Sequence, residues 1–228
     1  TSAARRRHTV RPMVVGHDKP PVPGEEQPPE FQAAVAGMHA ARLRPELFCE
    51  EMPAPQRIAP HAAALTADIT VDDTEVGTGR IIVLHDPAGN DAWQGTFRCV
   101  AYCRADIDPE LITDPLLAEV GWTWLTEALD ANGAGFLAAS GTVTRVATES
   151  FGGMADEEAT AQIEIRASWT PCDETGQAYD VEPDIASHVE AWGELLCTAA
   201  GLPPVPEGVA SMPSRRGQRG AGRRGARP

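Results

Sequence analysis

The chain has 228 residues with 42% apolar side chains, enough for one core with two tails. It carries 19 Lys and Arg against 33 Asp and Glu, placed unevenly: residues 1–29 are net +2, residues 30–208 net −22 and residues 209–228 net +6. A body of that sign repels phosphate backbones, so any nucleic acid must be held through the tails.

Five cysteines (Cys49, Cys99, Cys103, Cys172, Cys197) are an odd and sparse set. They fit buried thiols in a reducing compartment, not a disulfide framework. No apolar run approaches the ~20 residues of a membrane span. Arg5, Arg6 and Arg7 resemble the basic start of a signal peptide, but no apolar stretch of ~7–15 residues follows them. The expectation is a cytoplasmic protein with no membrane partner.

Residues 1–29 hold six prolines and few aliphatics, which predicts a disordered leader. Residues 30–208 form a single folded domain, and 209–228 an Arg/Gly-rich disordered tail. The first helix is predicted over 30–43, where Phe31, Ala34, Val35, Met38 and Ala41 recur at helical spacing. Pro45 stops it, and a Pro-rich connection follows.

Three strands come next. Leu65, Ala67, Ile69 and Val71 alternate with polar residues, a half-buried strand. Residues 76–79 read as a turn, 81–84 as the second strand, 87–91 as another turn and 96–107 as the third strand. A second helix has clear ends: Asp114 as cap, Pro115 in the first turn, Asn132-Gly133 at the close. Its apolar arc spans roughly 200°, about twice that of a one-sided helix. It therefore covers the sheet with one face and needs a second helix or a second subunit on the other. Trp122, Leu125 and Leu129 are the candidate dimer face.

Strands are predicted over 136–148 and 161–170, the latter with Ile163, Ile165, Ala167 and Trp169 inward. A last helix starts near Pro183-Asp184, with Ile185, Val189, Trp192, Leu196 and Ala199 as its stripe. The predicted class is α+β: an antiparallel sheet of about five strands with helices on one face, in the order α-βββ-α-ββ-α. By topology this string is similar to the type III secretion chaperone-like fold, whose members are often small acidic homodimers.

Familiar stretches include 97–102, 105–109, 114–125, 141–145, 150–153, 161–169 and 188–196, with Trp122, Trp124, Trp169 and Trp192 among them. Together they resemble the actinobacterial family known as domain of unknown function 3000, across roughly residues 30–218. The resemblance implies an actinobacterial cytoplasmic source. It brings no activity, cofactor or catalytic residue.

Chemical motifs are few. Cys99 and Cys103 lie ~13 Å apart along a strand, too far to share one metal ion, and both point to the apolar side. None of the six histidines has a chelating partner, and His188 reads as a satisfied core residue. Ser150 lacks the first glycine of a nucleophile elbow, and Gly77-Thr78-Gly79 lacks the third glycine of a dinucleotide site. No metal, cofactor or catalytic residue is implied.

Arginine placement is the most informative feature. Arg98, Arg104, Arg145 and Arg166 all fall on predicted strands. Arg98, Arg104 and Arg166 lie opposite the apolar positions, with Tyr102 among them. Pairing with Asp68, Asp106 or Glu164 is one reading. The other is a basic platform for an acidic peptide or anionic ligand, because guanidinium forks suit carboxylate and phosphate.

The favoured function is a non-enzymatic protein-binding adaptor or chaperone-like homodimer, its partners a second copy of itself and an unidentified protein. The alternative is a small-molecule sensor or enzyme with a site near Ser150, Phe151, Gly152 and Gly153, at the 150–154 loop. A third reading is weak RNA association through the Arg-rich tail.

Overall fold

The computed structural model describes residues 27–55, 57–178 and 183–204. The expected tail and residues 1–26 of the expected leader fall outside these residues, and Pro29, placed at the end of the leader, opens the first helix. Helix α1 (Pro29–Ala40) begins with proline in its first turn and buries Phe31, Ala34 and Met38. Strands β1 (Leu47–Met52), β2 (His61–Val71), β3 (Thr74–Asn90) and β4 (Gly95–Ile107) follow, then a short 3-10 turn (Pro109–Thr113). Helix α2 (Leu117–Ala131), strands β5 (Phe136–Thr148) and β6 (Thr160–Pro171), and helix α3 (Ile185–Ala199) complete the domain.

All six strands form one antiparallel sheet in the order β1-β2-β3-β4-β6-β5. The α+β plan stands, with one more strand than the sequence suggested. That strand, β1, was read as a Pro-rich connection. It has too little alternation to declare itself, and its pairing with β2, such as Cys49 opposite Ala67, creates it.

The first turn also moves. Val71 pairs with Thr74, and Asp72 and Asp73 take φ of 49° and 64°, a two-residue hairpin turn. Gly77 and Gly79 thus lie inside β3. A side chain at Gly79 would collide with Leu196 of α3. The missing side chain is what lets that helix settle on the sheet.

All three helices cover one face, with α3 packed against both α1 and α2. The predicted stripe on α3 is buried throughout, joined by Ala191, Leu195 and Cys197. Inward residues of β3, β4 and β6, including Ile81, Val83, Cys99, Cys103, Ile163, Ile165 and Trp169, meet it. Cys99 and Cys103 are core residues, and burial pushes both thiols up to about 12.

The broad apolar arc of α2 is used within one chain. Leu125 and Leu129 are fully buried, and α3 supplies the second surface. Trp122 is half-buried and packs over Gly141 of β5. Leu125 and Leu129 of the proposed dimer face are therefore interior, because the extra helix needed to cover them comes from the same molecule, while Trp122 keeps part of its surface exposed.

Candidate functional site

With the helices gathered on one side, the other face of the sheet is open. Its register arranges side chains in rows across β3, β4, β6 and β5. One row runs Arg80, Tyr102, Arg166, Thr142. The next runs Ile82, Val100, Ser168, Ser140. These two rows line an open groove of about 660 Å³, with Ala101, Gly141 and Ala167 at its floor. The lining contains two arginines and no carboxylate, histidine or cysteine.

A bulge in β5 helps shape the groove. The register shifts between Leu137 and Ser140, where Ala138 takes φ of 50°. The shift places Ser140 directly opposite Ser168. Gly141 is bare for steric reasons, since any side chain there would strike the Arg166 carbonyl and the Trp122 ring.

Tyr102 anchors the basic row. Its hydroxyl donates to Glu164 Oε1 at 3.2 Å, and the Arg166 guanidinium lies 5.2 Å from its ring centre. Burial, then the Glu164 carboxylate, pushes the Tyr102 phenol above its usual range, so it stays protonated. Arg166 Nη2 also meets Glu164 Oε2 at 2.9 Å. Arg80 makes no ion pair among the described residues.

Arg98 occupies a different niche. It is only 6% exposed, yet no carboxylate pairs with it among the described residues. Nη1 donates to Thr170 Oγ1 at 3.1 Å. Nη2 donates to Ser168 Oγ at 2.7 Å, the Ser168 carbonyl at 3.2 Å and Ser140 Oγ at 3.3 Å. Burial holds its pKa below the ordinary arginine value, though guanidinium stays charged in proteins.

The structure divides the sequence-predicted platform. Tyr102 and Arg166 line the groove, and Arg98 stands behind its two serines. Arg104 lies one row further, opposite Glu164, outside the lining. Arg145 does not belong: it pairs opposite inward-facing Ile163 and donates to the carbonyls of Ile112 and Asp114. Its strand position put it on the helix side. Of the three acids weighed as partners, Glu164 takes Arg166, Asp106 accepts from Gln162 and Asp68 from Thr78.

The 150–154 loop is not near this groove. Phe151 is 76% exposed, and Ser150 Oγ donates to Glu157 Oε2 at 3.4 Å. Side chains at Gly152 and Gly153 would meet open space, so no close approach is built there. The open φ of 64° at Gly152 explains that glycine.

Arg80, Ser140, Thr142 and Ser168 were missed as site residues. Ser168 was read as outward, and that alternation was its signal. Arg80 falls between the turn expected at 76–79 and the strand expected at 81–84, whereas β3 runs from Thr74 and carries it.

Two buried histidines lie elsewhere. His85 stacks between Phe31 and Phe97, with Nδ1 on the Thr96 carbonyl at 3.2 Å and Glu30 at 3.5 Å from Nε2. Burial pushes its pKa down. His188 Nδ1 accepts from Trp169 Nε1 at 3.1 Å, the satisfied core residue expected. No group of three or more metal-ligating side chains occurs among the described residues, and no helix among them is long and apolar enough to cross a membrane.

The site and fold define an α+β protein with a one-sided helical layer and a cationic groove on its bare sheet face. The chain belongs to the family described as "Protein of unknown function (DUF3000)", which it matches over residues 27–210. No curated protein and no solved structure matches it.

Proposed function

We propose that this is a non-enzymatic cytoplasmic binding protein whose bare sheet face receives an extended, acidic segment of a partner protein. The observation that carries the reading is the groove itself: two arginines and no carboxylate line it, in a body of net charge −22. Such a local reversal of sign steers an acidic segment to one place and away from the rest of the surface. Ile82 and Val100 supply apolar contact, and Arg80 and Arg166 supply forks for carboxylates. Strand β5 closes the sheet on this side, leaving one edge of its backbone open to an added strand. That edge favours an extended peptide over a compact small molecule.

The test uses labelled peptides that differ only in carrying Glu/Asp or Gln/Asn, measured by fluorescence anisotropy. Acidic peptides bind with an affinity that falls as salt rises, and Arg80→Ala with Arg166→Ala weakens them about tenfold or more. Equal binding of the amide peptides, or an unaffected double variant, refutes the proposal.

A further inference from the structure

We propose that the Ser140–Ser168 end of the groove is a subsite for a phosphate group carried by the bound segment. The inference rests on the groove being the surface that receives that segment. Ser140 and Ser168 face each other across β5 and β6, with their hydroxyl oxygens 3.4 Å apart. Arg98 reaches them from one side, and Arg166 follows two residues before Ser168 on the other. The hydroxyl pair thus has the Arg98 guanidinium on one side and the row that carries Arg166 on the other.

The direction of the hydrogen bonds matters. Arg98 donates to both serine oxygens, so neither hydroxyl spends its proton there; one can donate to the other across 3.4 Å, which leaves at least one proton to give. Thr170 differs, because its proton is spent on the Trp93 carbonyl. The serine proton left over, polarised by the buried cation behind the pair, is a donor for an oxyanion. Donors aimed at charge from a partly desolvated wall bind it more strongly than the same groups in water.

The charge balance selects the ligand. A buried guanidinium without an acid bears a desolvation cost that neutral acceptors offset only in part. Around the groove stand Arg80, Arg98 and Arg166, with Glu164 already bound to Arg166. That leaves a surplus of about two positive charges, and a phosphate monoester carries roughly −1.5 to −2 at neutral pH. One carboxylate would cancel only part of it.

The test exposes the full chain to three degenerate peptide libraries whose central residue is phosphoserine, serine or glutamate. The expected result is enrichment of the phosphoserine library about tenfold over both others, competed by inorganic phosphate. Ser140→Ala alone, which leaves Arg98 its Ser168 and Thr170 acceptors, weakens that preference at least threefold with a melting temperature within a few degrees of the wild type's, and Ser140→Ala with Ser168→Ala abolishes it at a lowered melting temperature because Arg98 loses two acceptors. Glutamate retained as well as phosphoserine, or a preference that survives the double variant, overturns the subsite but leaves the acidic-segment reading standing. If none of the libraries is retained and the Arg80/Arg166 variant also changes nothing, both fall.

Discussion

Protonation of His188 should weaken the fold by an amount the structure sets. The ring is 1% exposed and its Nδ1 accepts the Trp169 indole hydrogen. Burial lowers its pKa from 6.5 to about 4. The unfolded chain therefore binds a proton at His188 that the folded chain refuses between those values. Stability from this group is complete above pH 6.5 and is lost as pH falls toward 4. At about 1.4 kcal/mol per unit, the loss approaches 3 kcal/mol. Protonation would also leave a donor facing the Trp169 donor.

Urea unfolding from pH 7 to pH 4.5, followed by tryptophan fluorescence, measures it. His188→Asn keeps an acceptor near Trp169 without a titrating ring, so its stability should fall less over that interval than the wild type's. Parallel curves for the two proteins would show that His188 is not the buried neutral group described.

Leu125→Ala should cost about 2–5 kcal/mol and leave the mass in light scattering unchanged, since Leu125 packs inside one chain. A change of mass without loss of stability would restore the subunit interface. Cys99, Cys103 and Cys197 have thiols pushed up to about 12 by burial, so the native protein at pH 8 should react slowly at all three with iodoacetamide. Half-buried Cys49 should label first, and mass spectrometry of the digested protein reads the order.

Much of the fold was legible in the residue pattern. The alternation of Ile163, Ile165, Ala167 and Trp169 placed β6 and its inward face, and Asn132-Gly133 placed the end of α2, with Gly133 at φ of 65°. Period and capping are local signals, carried by residues a few positions apart. Part of the site could be read the same way: Tyr102 and Arg166 belong to the outward set of long strands, and that set follows from parity.

What parity cannot supply is pairing. Strand β1 exists because β2 offers it a ladder. Arg80 enters the groove because β3 begins at Thr74, after a turn that two aspartates make and no glycine announces. Arg145 left the platform because a bulge at Ala138 shifts the parity of β5, sending it to the helix side. The second face of α2 was correctly recognised as needing cover, and only the packing of α3 decided that the cover was internal. Composition and periodicity determined the class, the layer and the acidic body. Strand register, fixed by contacts between residues far apart in the chain, such as Arg98 and Thr170 at 72 positions, decided which arginines meet and left one of them buried without an acid.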